Sequence, residues 1–564
     1  MKNNTVPLRV SRGFLAVFLV AGVLFLFRLG DRGFRNPDEG RYAEIAREMV
    51  VNHNWVEPTL YGVDYLRKPV LFYWLLALSF KFFGMSEFTA RIVPAFFGFL
   101  GVIATYFFAL RYWGQKSAFF SALILVTNVF YLKVSQYLLI DAVFAFFIVA
   151  FFYSFYIAFY DNKPLFKYLC FVFLGLAFLA KGVAAVVIPG FVLLIYFLIS
   201  GKLKEGAKFF LWPAGIFISF AIAAPWFVLI SIREPEFLNF FFWHEHVARF
   251  VSKNFEHQEP WYFYLALLPL IFFPWSLFVS PFKKYLKSGE RLTQGPLFYL
   301  GTVFFGILTF YTLSHSKLAT YLLPTVPFVA ILLGDAWASW TEGNDSKLGK
   351  FSLFAIVFFI FFIAAALFVI SSPLLGLDLF KRAPAVKPVI STGLLFLMAE
   401  SIGVIFSIWK RDRKTLFYSL IVFMVSVPIF GTFAMEVMNP EYSTKHFAQY
   451  LKPKLGAGDE IFIYSQPGAF YDFAFYLNHS VRLVGLEGEL EFNNWNFDAE
   501  KIEMNKAAVT YDQWENIVQK QKVYSLMRKS DYEALKVPVK NSLKVLMQDK
   551  RKVLLESGEG GLGV

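Results

Sequence analysis

The chain has 564 residues, of which 57% are hydrophobic, 20% aromatic and only 17% charged. Such a composition excludes an ordinary soluble domain and reads as a polytopic integral membrane protein. Cys170 is the single cysteine, which excludes a structural disulfide and a cysteine metal cluster. The net charge of +13 is accounted for by topology and anionic lipid, with no reason to invoke nucleic acid as a partner.

Apolar runs of the length needed to cross ~30 Å of hydrocarbon recur along the chain. They lie at 14–27, 92–110, 118–134, 142–160, 169–180, 183–199, 209–232, 262–279, 297–313, 321–337, 351–370, 390–408 and 416–435. This pattern predicts about thirteen spans, the first being a retained span rather than a cleavable signal. Lys and Arg collect in alternate loops, from the N-terminus through 111–116, 163–167, 202–208, 283–291 and 410–414, and mark the cytoplasmic side. The opposite side then receives 35–83, Asp141, Lys181, 233–260, 314–320 and everything after about 439.

Just beyond the first span stands Arg35-Asn36-Pro37-Asp38-Glu39-Gly40-Arg41-Tyr42. Asn36 is placed to cap a helix, Pro37 fits its first position, and Glu39 falls where a capping box closes. Tyr42, Ile45, Ala46 and Met49 follow the helical period, with Arg41, Glu44, Arg47 and Glu48 opposite, as expected for a helix lying on a membrane. Asp38 and Glu39 carry two readings: complements to the helix dipole, or acids handling a substrate at the bilayer surface.

Arg67-Lys68-Pro69 precedes an aromatic segment at 70–83, read as a second surface helix or a short re-entrant piece. Asp141 introduces a span and is either a helix N-terminal acid or part of a polar site. Lys181-Gly182 is almost the whole turn between two apolar runs and fixes an ammonium at the membrane boundary, where it needs an anionic partner. The segment Phe241-Phe242-Trp243-His244-Glu245-His246-Val247-Ala248-Arg249-Phe250, followed by His257, concentrates imidazoles. Its spacing is not His-Glu-x-x-His, and it reads as a hydrogen-bonded interfacial loop rather than a metal site. Lys317 and Tyr321 lie at another external boundary. After 439 the chain turns more polar, with strand-like runs at 461–464 and 481–484 and an amphipathic segment at 511–519. It reads as a small soluble α/β domain ending in a Gly-rich stretch, 558–563.

These features resemble the polyprenyl-phosphate-sugar glycosyltransferases of GT-C architecture, and in particular the bacterial lipid A aminoarabinose transferases. The motifs are Pro37-Asp38-Glu39-x-Arg41-Tyr42-Ala43-Glu44-Ile45, Lys68-Pro69, Asp141, Lys181-Gly182, Pro225-Trp226, Arg233-Glu234-Pro235, Phe242-Trp243-x-Glu245-His246-x-x-Arg249-Phe250 and Lys317-Leu318-x-Thr320-Tyr321. They cover roughly the first 330 residues. Three positions depart from the family pattern: Arg67 where a Glu usually precedes Lys-Pro, Ala142 where a Pro often follows the Asp, and Ala319 where a Pro follows Lys-Leu.

The resemblance implies an all-α GT-C membrane domain over 1–438 with periplasmic surface helices, and a periplasmic α/β domain over 439–564. It implies transfer of 4-amino-4-deoxy-L-arabinose or a related sugar from undecaprenyl phosphate to lipid A phosphate, at the periplasmic face of the bacterial inner membrane. Asp38, Glu39 and Asp141 are then the catalytic candidates, and Lys68, Lys181, Arg249, Lys317 and Tyr321 bind the donor phosphate. Arg41, Tyr42, Arg67, Glu245 and His246 contact substrate. A divalent ion, if used, has Asp38, His246 and His257 as candidate ligands. A hydroxyl-acceptor enzyme like the protein O-mannosyltransferases, and a non-catalytic lipid transporter, are the alternatives.

Overall fold

The computed structural model describes residues 12–248, 258–277, 295–342, 350–371, 386–456, 458–465, 467–485 and 507–558. Contacts group the chain into two units, residues 1–29 with 92–437 and residues 30–91 with 438–564. The second unit joins the first loop to the C-terminal segment, a long-range pairing that a division at 438 does not express.

Helices dominate the first unit: α1 (Arg12–Leu26), then α4 (Glu87–Thr127), α5 (Val129–Gln136), α6 (Ile140–Asp161), α7 (Pro164–Lys181), α8 (Ala184–Ser200), α9 (Leu203–Phe210) and α10 (Pro213–Arg233). They continue with α11 (Phe263–Ile271), α12 (Pro296–Leu313), α13 (Val326–Glu342), α14 (Lys350–Ser371), α15 (Val386–Trp409) and α16 (Arg413–Tyr442). The intervening α2 (Asp38–Val51) and α3 (Leu71–Phe83) belong to the second unit. Among the described residues, 8 helices are long and apolar enough to cross a membrane. The protein is therefore a multi-pass membrane protein.

The helices depart from the expected runs where the chain is punctuated. Runs 92–110 and 118–134 are joined in α4, which kinks at Gly114, whose φ of 81° is open to glycine. Asn128 then starts α5 by accepting a hydrogen bond from Tyr131 N at 2.8 Å. In the run at 262–279, α11 has 9 residues, rising about 13 Å at 1.5 Å per residue, and the 3₁₀ turn Trp275–Leu277 follows it, while 278–279 lie outside the described residues. Pro269 within α11 and Pro274 just after it each remove a backbone donor.

In the second unit, β1 (Thr59–Leu60) and β2 (Val63–Asp64) form a hairpin between α2 and α3. The expected C-terminal domain is a six-stranded mixed sheet in the order β5-β4-β3-β6-β8-β7. Its strands are β3 (Glu460–Tyr464), β4 (Arg482–Val484), β5 (Ala508–Val509), β6 (Val523–Arg528), β7 (Leu543–Gln548) and β8 (Lys552–Ser557). β3 runs parallel to β4 and β6, and β8 antiparallel to β6 and β7. Helices α17 (Lys445–Leu451), α18 (Phe473–Leu477) and α19 (Tyr511–Lys520) accompany it. Thr510 and Gln513 close a capping box at α19, which packs Trp514 and Val518 on a core containing Phe462, Val523, Met527 and Leu555.

Helix α2 does not lie on a surface. Glu44 is fully buried, and Arg41, Arg47 and Glu48 are buried with it, because α3, α18 and the hairpin enclose the helix. Its charged face survives burial by internal pairing. Arg47 holds Glu44 through two hydrogen bonds of 2.8 and 2.6 Å, and Glu48 accepts from Thr59 Oγ1 at 2.5 Å and Gly62 N at 3.2 Å. The helix also starts one residue later than expected. Pro37 occupies the cap position with no side-chain cap, and the Asn36 amide bonds instead to Ala469 O and to Asp472.

Candidate active site

In the membrane unit, α6 leaves and α7 returns to the same boundary, because Gly182, with φ at 76°, ends α7 immediately after Lys181. Asp141 lies in the first turn of α6 and Lys181 in the last turn of α7, each at the helix end its charge favours. They meet: Lys181 Nζ donates to Asp141 Oδ1 at 2.6 Å, and each side chain is 12% exposed. The same ammonium lies 4.7 Å from the centre of the Tyr321 ring and 5.1 Å from that of Phe144. Tyr321, in the 3₁₀ turn Ala319–Thr325, stacks on Tyr311 with ring centres 4.9 Å apart. Tyr264 Oη donates to Leu318 O at 3.1 Å and steadies that turn.

Lys317 is buried in the adjoining loop, where Nζ donates to Glu259 O at 3.0 Å and residues 258 and 316 form an antiparallel bridge. Burial pulls its pKa below the usual lysine range, and the Glu259 carboxylate opposes that shift. Glu245 is buried in a π-helical stretch, Phe240–Ala248, where the sequence suggested a loop. The His246 side chain, Arg249 and His257 lie outside the described residues.

The second unit separates the two leading acids. Glu39 is buried, and both its oxygens are engaged: Arg32 donates at 2.7 and 3.1 Å, Arg91 at 2.8 and 2.9 Å, and Arg35 N at 2.9 Å. Burial pushes its pKa up, but the Arg32 and Arg91 guanidiniums overcome that and hold it well below the carboxylate range. This is the geometry of a structural anchor. Asp38, by contrast, keeps a side chain 51% exposed, and Arg41 Nη2 donates to its Oδ1 at 2.5 Å. Tyr42 is buried against Phe72 and Tyr73. Arg67 and Lys68 are half-buried in the turn that links the hairpin to α3, with Pro69 buried beside them.

Thus Asp141, Lys181 and Tyr321 come together in one unit, and Asp38, Arg41 and Glu39 line the start of one helix in the other. Arg32, Arg91, Phe144, Tyr264 and Tyr311 were not anticipated; Arg91 and Tyr264 act 52 and 54 residues from their partners, so no local spacing marks them. Of the candidate ligands for a divalent ion, His257 and the His246 side chain lie outside the described residues, and the Asp38 carboxylate accepts from Arg41; among the described residues no group of three or more His, Cys, Asp or Glu side chains comes together.

The architecture matches ArnT from Cupriavidus metallidurans bound to undecaprenyl phosphate, with a TM-score of 0.82, 23% identity and coverage of 97% of this chain and 98% of that one. The apo structure of the same protein gives 0.81 at 22% identity, with the same coverage. The chain has the GT-C fold of ArnT. Curated relatives bear out the resemblance read from the motifs. Undecaprenyl phosphate-alpha-4-amino-4-deoxy-L-arabinose arabinosyl transferase 2 of Pseudomonas fluorescens is 32% identical over 334 residues, 58% of this chain and 56% of that protein. The arabinosyl transferase of Pseudomonas savastanoi pv. phaseolicola is 34% identical over 328 residues, 57% of this chain and 60% of the relative. The chain spans a little over half the length of these relatives. A family model described as dolichyl-phosphate-mannose-protein mannosyltransferase matches residues 11–241.

Proposed function

We propose that this protein is a glycosyltransferase of the bacterial inner membrane that moves 4-amino-4-deoxy-L-arabinose or a related sugar from undecaprenyl phosphate to lipid A phosphate on the periplasmic side. The observation that carries this reading is the Lys181 ammonium, held between Asp141 and the Tyr321 ring at the end of a span. The relatives' names supply the donor class, and the lipid A acceptor comes from the motif resemblance.

In such a transfer the bond between the sugar's anomeric carbon and the donor phosphate oxygen breaks, and the electron pair leaves with undecaprenyl phosphate. The acceptor oxygen forms the new bond. The leaving phosphate is a stable anion at neutral pH, so it needs cations rather than a proton donor. An ammonium offers three donors; Asp141 takes one of Lys181's and orients the rest toward a phosphate. Lys68, Lys317, Arg249 and the Tyr321 hydroxyl are assigned to the same anion. Asp38, the exposed acid held by Arg41, orients the sugar; Arg67, Glu245 and His246 are assigned to substrate. A phosphate monoester acceptor is already anionic, so Asp38 need not act as base.

The match to the mannosyltransferase family model favours one second reading, a hydroxyl acceptor for which Asp38 is the general base. The pH dependence of transfer and the linkage of the product separate the two. With Asp38→Asn, the phosphate reading expects a shallow loss with the wild-type pH profile retained and a sugar on phosphate. A loss of roughly a hundredfold or more, with an acidic limb that vanishes in the variant and a hydroxyl-linked product, would contradict it.

A further inference from the structure

In open α/β sheets, binding sites form outside the carboxyl ends of the strands where the strand order reverses. Here the reversal falls at β3: β4 and β5 extend to one side of it, while β6, which follows β5 in the chain, lies on the other. The segment leaving β3 runs through Ser465 and the short 3₁₀ turn Pro467–Ala469 to Asp472. What this segment grips is the start of α2. Asn36 Nδ2 donates to Ala469 O at 3.1 Å and to Asp472 Oδ1 at 2.5 Å, and Asp472 N donates back to Asn36 Oδ1 at 3.1 Å. Tyr61 Oη donates to Phe470 O at 2.7 Å. The fit is close enough to demand Gly40, since a Cβ there would overlap Asn36 Oδ1 and lie 2.6 Å from Asp472 N.

Asp472 is itself held on several sides. Fully buried, it also accepts from Ser443 Oγ at 2.6 Å, Thr444 N at 2.9 Å and Thr444 Oγ1 at 2.7 Å. Asn36 uses donor and acceptor at once, so its amide has one orientation available. Only Pro37, with its restricted φ, separates it from Asp38.

We propose that the C-terminal sheet is a positioning element for Asp38, with Asp472 acting through Asn36 as the positioning residue. The inference rests on the reading that Asp38 orients the transferred sugar. It gives the C-terminal sheet a part in the reaction that is exerted through Asn36. A displacement of about 1 Å at a positioned group can cost about a hundredfold in rate, so loosening the clamp acts on kcat more than on donor binding.

The test is a mutant cycle in the full-length membrane protein, with steady-state transfer and thermal midpoint measured on each variant. Asn36→Ala, as folded protein, is expected to lower kcat by about as much as Asp38→Asn does and no more, with the donor KM little changed. In an Asp38→Asn background the same change is expected to cost nothing further, which loss of stability alone would not produce. If Asn36→Ala does not yield folded protein, Asn36→Ser is read by the same criteria. Wild-type kcat in folded Asn36→Ala or Asn36→Ser, or full additivity with a slowed Asp38→Asn, overturns the positioning role and leaves the Asp38 reading standing. An Asp38→Asn variant with wild-type kinetics overturns both.

Discussion

Lys181 is an ammonium at 12% exposure, paired with the Asp141 carboxylate 2.6 Å away. Removing either charge leaves the other buried, which is costly in itself, so a single substitution does not separate binding from structure. The pair does separate them. Lys181→Ala is expected to reduce transfer by ~2–4 kcal/mol of transition-state stabilisation, the range seen for a lost oxyanion donor. Asp141→Asn is expected to cost less, and the double variant no more than Lys181→Ala alone, because Asp141 acts by orienting Lys181. Transfer kinetics of the folded variants check this; unchanged kinetics in Lys181→Ala would remove it from the site. Lys181 and Asp141 were legible in the sequence because a Gly-terminated turn and a span entrance fix where each side chain stands. Arg32 and Arg91, which hold Glu39, were not: Arg91 lies 52 residues from Glu39, and nothing local marks it as a partner.

At the scale of elements, α2 shows what helical periodicity can and cannot give. The period picked out the apolar face at Tyr42, Ile45, Ala46 and Met49, all of which are buried. It could not say that the opposite face is also enclosed, because the charges there neutralise one another instead of facing water. Glu48 bears the cost. Burial, together with the neighbouring Glu44 charge, raises its pKa to about 7, against the opposing pull of Thr59, Arg47 and Gly62 N. The folded protein thus holds this proton more tightly than the unfolded chain, and Glu48's contribution is full below about 4.5 and is lost as pH rises to about 7. Glu39 works with the opposite sign, its contribution being lost only as pH falls below the ordinary carboxylate range. Glu48→Gln is therefore expected to flatten the fall in stability between pH 5 and 7, an effect of up to about 3 kcal/mol by linkage. Thermal or denaturant unfolding across that range checks it, and a parallel pH dependence in wild type and variant would contradict it. The hairpin that Glu48 holds leads directly to Arg67 and Lys68.

For the whole molecule, hydropathy located the apolar helices, 8 of which among the described residues are long enough to cross a membrane where about thirteen spans were expected, and was a poor guide to their interruptions. Gly114 and Asn128 shape the path through 92–134, and Pro269 and Pro274 fall in and just after the short helix α11. The sheet strands at 460–464 and 482–484 were visible as apolar runs. Their parallel order and the joining of 30–91 to 438–564 were not, because the first depends on pairings 20 to 63 residues apart and the second on contacts hundreds of residues apart. The departure at Arg67 leaves the sugar to be identified by experiment, but the reaction class does not depend on it: a transferase breaks the bond between sugar and lipid phosphate, whereas a transporter moves the lipid intact. The most direct measurement is the stoichiometry of purified protein in liposomes supplied with undecaprenyl-phosphate-linked aminoarabinose and lipid A, both followed by mass. The expected result is free undecaprenyl phosphate appearing one for one with lipid A carrying the sugar on phosphate, both slowed together in Lys181→Ala. Donor lipid that crosses the bilayer unchanged, with no free undecaprenyl phosphate and no modified acceptor, would contradict it.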